Sequence, residues 1–340
     1  MLKSAMAWVL IAGLVLGMVS IGNAKEQLVI QIWPGSYEEV FTKYVIEPFE
    51  RLFGVDIVTT TGMEWFTLNK VLAEVESGTP QIDLVQVTVS DFLRGQEMGL
   101  WETLNRDEVP NLKYVPPTLQ AADGVGFETY TMSLVYNCAT GKPRPETLLD
   151  LWSGEYKLCI DRTHEQYFIP MVNYMLAGRY TPVDLEFVFE KLRELKPYIV
   201  TMTESHAEKR ILLANNEVDV SEAFNNRVGL MIDDGMNVEF VMVPEAFVGV
   251  DFWGIVKGTQ HKALAQKFIN FTLEAMVQEI NARKQYLGPT NVTVQLEDEF
   301  VSERGIAYGD VLKKLTMEDY RYIAENLESW TARWQQWIAE

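Results

Sequence analysis

The chain has 340 residues, 48% of them hydrophobic, and a formal net charge of −19. That length accommodates two lobes of ordinary domain size, and the acidity excludes a general nucleic-acid binder, because phosphates would be repelled. The 2 cysteines and 3 histidines show no metal-ligand spacing, so no metal or other cofactor is expected.

Met1–Ala24 reads as a secretory leader. Lys3 supplies a basic start, Val9–Val19 an apolar core and Gly22-Asn23-Ala24 a small-residue cleavage site. The apolar stretch is short for a bilayer span and polar residues follow at once, so cleavage without lasting membrane insertion is favoured over an anchor. In the oxidising compartment this implies, Cys138 and Cys159 are a disulfide candidate. The bond would close a short loop and contribute roughly 3 kcal/mol; two buried free thiols are the alternative.

After the leader, strands and helices alternate. Leu28–Trp33 is a short β-rich run, broken by Pro34-Gly35. Ser36–Phe53 has helical periodicity, with Val40, Phe41, Tyr44, Val45, Phe49 and Phe53 on one side, and Gly54 stops it. Ser36 and Glu39 fit a capping box. Val55–Thr61 is a strand, Trp65–Glu76 a helix and Ile82–Thr88 a third strand. This alternation predicts a mostly parallel sheet, whose ligands gather at the carboxyl ends of the strands. A looser, proline-bearing stretch precedes a strand at Tyr130–Asn137. The pattern then resumes with strands at Lys157–Ile160, Tyr198–Thr203, Val218–Phe224 and Val238–Val243, and helices at His164–Leu176, Leu185–Leu195 and Ala207–Ala214. Asp251–Lys257 is extended, Lys262–Arg283 is one long helix and two helices close the chain.

Enzyme signatures are missing. There is no G-x-S-x-G, P-loop, H-E-x-x-H or G-x-G-x-x-G motif. His164, His206 and His261 read as surface residues in polar helical surroundings, and no carboxylate pair is marked as facing another. The strand–helix joints offer binding chemistry instead. The joint at Ser36-Tyr37-Glu38-Glu39 carries its own carboxylates and suits a cationic or neutral group better than an anion. Trp33, Tyr37, Phe224, Trp253 and Tyr286 lie near strand ends or turns, where a ring face attracts a cation by about 0.5–2 kcal/mol. Trp65 and Phe252 read as core packing, as does the helical stripe Trp330, Trp334 and Trp337. Asp251 stands among apolar residues in Val250-Asp251-Phe252-Trp253, so it requires a partner, either a ligand ammonium or a buried Lys or Arg.

Four segments carry a resemblance over nearly the whole chain after the leader: WPGSYEEVFTKYVIEPFERLFGVDI, IDLVQVTVSDFLRGQEMGLWETL, NNEVDVSEAFNN, and GVDFWGIVKGTQHKALAQKFINFTLEAMVQ leading to YLGPTN. The chain resembles bacterial extracellular solute-binding proteins of the spermidine/putrescine-binding type. The resemblance implies an α/β, two-lobed type 2 periplasmic binding fold, each lobe a mostly parallel sheet flanked by helices. Residues 25–136 and 254–292 would form the first lobe and 137–253 and 293–340 the second, joined by two hinge strands. It implies a monomeric periplasmic receptor, not an enzyme, that closes on a small solute and delivers it to an inner-membrane ABC permease. The positions it assigns to the ligand are Trp33, Ser36, Tyr37, Ser90, Asp91, Gln166, Phe224, Asn225, Asp251 and Tyr286. Thr163 and Gln166 stand where a polyamine binder offers acids, and Phe224 stands in place of a stacking tryptophan. The solute expected is a putrescine- or spermidine-like amine or a related amino compound; these departures count against a long polyamine and leave a shorter amine, or an amino acid such as γ-aminobutyrate, open. Arg227 and Arg162 are candidates to clamp a carboxylate, or else surface ion pairs. Receptors for anionic or sugar-like solutes and a periplasmic glycan hydrolase are the rival readings.

Overall fold

The computed structural model describes residues 25–340 apart from Met63 and Leu315, without the side chains of 64–66 and 313–314. The expected leader and the packing role of Trp65 therefore lie outside the described residues. Strands are β1 (Gln27–Ile32), β2 (Asp56–Thr61), β3 (Leu84–Thr88), β4 (Gly124–Asn137), β5 (Leu158–Asp161), β6 (Ile199–Thr203), β7 (Val220–Phe224), β8 (Val238–Val241), β9 (Phe247–Ile255) and β10 (Gly288–Pro289). They run in the order β2-β1-β3-β9-β4-β7-β5-β6, with β8 and β10 also on β4.

Two parallel units flank an antiparallel centre. β1 pairs in parallel with β2 and β3, and β5 with β6 and β7. β4 and β9 run antiparallel between them. The first half of β4 pairs with β9 and β10, and the second half with β7 and β8. These long central strands run between the two parallel units. Each lobe has its own aromatic packing. Phe41, Phe127, Trp253 and Phe268 interlock in the first, with Phe127 stacked on Trp253 at 4.4 Å. Phe168, Phe189 and Trp334 meet edge-on in the second. The closing helix, Met317–Ala339, buries Trp330, Trp334 and Trp337, as its stripe predicts.

The main elements fall where alternation places them, with four corrections. β4 begins at Gly124 rather than Tyr130. Its glycines are required there, since a Cβ on Gly124 would lie 2.2 Å from the Phe92 ring. The long helix expected at Lys262–Arg283 is two, Lys262–Thr272 and Ala275–Gln285. Glu274 between them is extended, and Asn291 Nδ2 takes the Leu273 carbonyl at 2.8 Å, removing an acceptor from the helical ladder. No capping box forms at Ser36. Gly35, at φ 78°, occupies the cap position and Ser36 is the first helical residue.

The fourth correction concerns the cysteines, which are free thiols. Cys159 lies in β5, and β7 separates β5 from β4, the strand that leads into Cys138. Two strand spacings are roughly 10 Å, whereas a disulfide needs Cα atoms within about 7 Å. Cys159 faces the Thr203 hydroxyl at 3.7 Å instead.

Candidate functional site, a solute cleft between the lobes

The joints after β1, β2 and β3 lie at one end of the first lobe's parallel unit, and those after β5, β6 and β7 at the corresponding end of the second. Arg227, just after β7, donates to the Ser36 hydroxyl, just after β1, at 3.1 Å. The carboxyl ends of the two parallel units therefore face each other across a cleft. Ligands of open α/β sheets bind at such ends.

Asp251 of β9 sits directly opposite Glu128 of β4 on the cleft side of the first lobe. The two acids are 3% and 1% exposed. Gln86 Nε2 lies 3.0 Å from Asp251 Oδ2, 2.8 Å from Glu128 Oε1 and 2.8 Å from the Tyr37 hydroxyl. Tyr37 donates to Glu128 Oε1 at 2.9 Å, Asn281 donates to Oε2 at 2.6 Å, and Trp33 Nε1 donates to Asp251 Oδ2 at 2.7 Å. Among the described residues, no lysine or arginine forms an ion pair with either acid, and Asp251 Oδ1 is buried without a hydrogen-bond partner. Burial pushes the Asp251 carboxyl up to about 7. Burial, with the Asp251 charge next to it, holds Glu128 well above the usual carboxylate range. Two buried acids so close together disfavour simultaneous ionisation. Trp33 is the one member of the cluster that is only partly buried.

The opposite wall is aromatic. The Phe224 ring meets Tyr130, Tyr167 and His164 at 5.4, 5.2 and 5.0 Å, edge against face. Arg227 stands beside it, and its burial lowers the guanidinium pKa. The cleft thus presents a buried acid pair on one lobe, and rings with a partly buried guanidinium on the other.

The remaining expected positions divide. Ser90 is buried at the start of the Val89–Glu97 helix. Asp91 is held by its own helix, with Arg94 at 2.9 Å and the Thr88 hydroxyl at 3.3 Å. Asn225 is fully employed as a brace: it accepts from the Thr131 amide at 2.9 Å and donates to the carbonyls of Tyr286 and Arg304 at 2.6 and 3.1 Å. Tyr286 donates to Asp233 and packs under Arg304, with a positive φ of 60°. These contacts give Asp91, Asn225 and Tyr286 structural work. Gln166 is buried early in the Glu165–Ala177 helix. Trp253 is fully buried core, and Arg162 lies 4.0 Å from Glu204 on the surface.

A second polar cluster lies beneath Phe224, and it corrects the expectation that the histidines are surface residues. His164 is 5% exposed and Lys209 1%. Glu222 Oε1 accepts from the Asp161 amide at 2.8 Å and from Lys209 at 3.0 Å, and lies 3.0 Å from His164 Nδ1. Burial opposes ionisation of Glu222, but Lys209, His164 and the Asp161 amide outweigh it and hold the carboxyl at about 2. His206 is half-buried, its ring 5.7 Å from that of His164.

An inter-lobe cleft with convergent polar groups defines a solute-binding protein rather than a protein of one closed core. The chain belongs to the bacterial extracellular solute-binding proteins, whose family description matches residues 44–307. It is a receptor, not an enzyme. It is 26% identical over 329 residues to the gamma-aminobutyric acid-binding protein of Pseudomonas aeruginosa, covering 92% of this chain and 91% of that one. Its fold matches an ABC transporter substrate-binding protein from Bradyrhizobium japonicum, with a TM-score of 0.80, 23% identity and coverage of 92% and 100%. It also matches a GABA receptor at a TM-score of 0.76, 20% identity and coverage of 92% and 97%. A third match is the A. tumefaciens protein AgtB in complex with agropinic acid, with a TM-score of 0.75, 24% identity and coverage of 93% and 99%.

Sequence reading identified Asp251, Trp33 and Tyr37, three members of the acid cluster, but not Glu128, Gln86 or Asn281. Glu128 was detectable only as an acid in the run Phe127-Glu128-Thr129-Tyr130, and its facing partner depends on a bulge between Gly126 and Glu128.

Proposed function

We propose that the protein is the periplasmic receptor for a short zwitterionic amine of the γ-aminobutyrate kind and presents it to an inner-membrane ABC permease. The observation that carries this reading is the buried Asp251–Glu128 pair without a protein cation. An ammonium group of a solute supplies the missing positive charge, and the half-exposed Trp33 gates its approach. Asp251 binds that ammonium, and Trp33, Tyr37 and Phe224 enclose the methylene chain. Arg227, close to Ser36 across the cleft, takes the carboxylate. A guanidinium in that position disfavours the second ammonium of a diamine, so putrescine and spermidine are poorer guests. The GABA-binding names of two similar proteins support the same solute class.

In this reading the protein works as a monomer after its leader is removed. The lobes bend about β4 near Thr129–Thr131 and β9 near Val248–Val250, where β4 exchanges one lobe's partners for the other's. Solute touches both lobes only when they are closed, so it shifts the population toward closure. Titration calorimetry with γ-aminobutyrate, putrescine and glucose tests the solute class. One-to-one binding of γ-aminobutyrate alone, lost in Arg227→Ala, supports it. Tight putrescine binding with a silent γ-aminobutyrate titration, or binding of glucose, overturns it.

A further inference from the structure

The cluster beneath Phe224 has no part in that reading, yet it is built like a metal centre. We propose that Asp161, His164 and His206 form a site for one divalent transition-metal cation of the zinc type, at the cleft end of the second lobe. Asp161 ends β5, His164 occupies the following turn, and His206 opens the His206–Ala214 helix after β6. Their ligating atoms all lie within 4.8 Å of one another.

The hydrogen bonds around the cluster orient it for an ion. Glu222 Oε1 accepts from two donors, the Asp161 amide and the Lys209 ammonium. A carboxylate oxygen only accepts, so His164 Nδ1 is the donor here, and in the neutral imidazole Nε2 then carries the lone pair. A carboxylate behind a histidine in this way fixes the tautomer and raises the basicity of a metal ligand. Nε2 faces Asp161 Oδ2 at 3.8 Å, too far for a hydrogen bond. Two ligands at about 2.0–2.1 Å from a shared tetrahedral zinc are about 3.3 Å apart, so this pair needs to close by about half an ångström, with His206 swinging in to complete the site. Asp161 Oδ1 is held by the Thr163 amide at 3.0 Å and its hydroxyl at 2.7 Å, which leaves Oδ2 for the ion.

Charge balance agrees. Lys209 lies 3.0 Å from Glu222 Oε1 and 2.8 Å from the Glu222 carbonyl, but 3.8 Å from Asp161 Oδ2. Its ammonium lies nearer Glu222 than Asp161, which leaves the Asp161 carboxylate to offset a cation, with the Arg227 guanidinium the other positive charge felt at His206. Two imidazoles and one carboxylate suit zinc, cobalt or nickel and not magnesium or calcium. Three protein ligands leave a fourth position open. The half-buried His206 provides the way in, and the Phe224 ring, 5.0 and 5.7 Å from the two imidazoles, sets the site beside the solute chamber.

The test uses the untagged protein, zinc titration calorimetry and the visible absorption of added cobalt(II). The expected result is one zinc per chain and a cobalt band from a nitrogen-bearing site. His206→Gln and His164→Gln should each weaken zinc binding at least about tenfold and remove the cobalt band, with the far-ultraviolet circular dichroism unchanged. Should His164→Gln fail to fold, the half-exposed His206→Gln decides alone. Absence of zinc binding, or zinc binding undiminished in His206→Gln, overturns the proposal.

Discussion

Asp251 and Glu128 are opposed across the β4–β9 ladder, and the amide of Gln86 is their shared neighbour. Replacing Asp251 with asparagine keeps the shape and removes the charge that an ammonium needs. Affinity for γ-aminobutyrate should then fall at least tenfold, about 1.4 kcal/mol by calorimetry. Unchanged affinity would exclude Asp251 from the site. The pair also makes binding depend on pH. Both acids have folded pKa values raised by burial, Asp251 to about 7, so the free protein holds protons that the unfolded chain releases near pH 4. From there to about pH 7 the folded form binds more protons, and stability falls as pH rises. The thermal midpoint of the free protein should decline between pH 5 and 8, and less steeply in Asp251→Asn. An ammonium guest favours the ionised pair, so binding near pH 6.5 should release a proton. The apparent binding enthalpy should then change with the ionisation enthalpy of the buffer; enthalpies equal across buffers would contradict proton sharing. Asp251 was legible because an acid inside Val250–Trp253 demands a partner. Glu128 was not, because only the bulge before it brings it opposite Asp251.

At the scale of elements, β4 and β9 carry the connection between lobes, and their packing depends on a missing side chain. Tyr130 lies opposite Gly249, and a Cβ there would stand 2.1 Å from the ring. The same ring packs on Phe224, and its hydroxyl lies 3.1 Å from that of Tyr167. Gly249→Val should displace Tyr130 and cost about 1–3 kcal/mol by overpacking, read as a lower denaturant midpoint with an unaltered slope; a midpoint equal to that of the parent protein would show that the ring moves freely. Alternation and helical periodicity revealed the parallel units on both sides of this centre, because their helices have one apolar face and their strands are β-branched. They missed the start of β4, where Gly124 and Gly126 serve close packing. They also missed the break at Leu273-Glu274, which Asn291 imposes from a distant part of the chain. The metal-like cluster was equally hidden. Asp161 and His164 lie three residues apart, but His206 is distant in sequence and joins them only because β5 and β6 are neighbours.

For the molecule as a whole, three links between parts of the chain constrain how the lobes move. Arg227 reaches Ser36 directly. The closing helix ties the centre and the second lobe together: the Tyr320 hydroxyl donates to the Val248 carbonyl of β9 at 2.8 Å, and the Trp334 indole to the Arg162 carbonyl at 3.0 Å. The same helix brings Arg321 to 4.0 Å from Glu97 in the first lobe. That exposed pair is worth little by itself, but the same helix also packs along the Val89–Glu97 helix of the first lobe and so bridges the two lobes. The Arg227–Ser36 link is a single hydrogen bond and opens readily when the cleft is empty. A carboxylate on Arg227 and an ammonium on Asp251 would bridge the same gap with two charge-assisted contacts, each stronger than the bond it replaces. Such a solute would have a higher affinity for the closed form, which is the condition for a population shift. Small-angle scattering should show the radius of gyration decrease when γ-aminobutyrate is added. Arg227→Ala should remain expanded at a solute concentration that saturates the parent protein, since one of the two cross-cleft contacts is gone. A radius that does not respond to solute in the parent protein, while calorimetry reports binding, would mean that capture occurs on one lobe alone and that β4 and β9 do not bend.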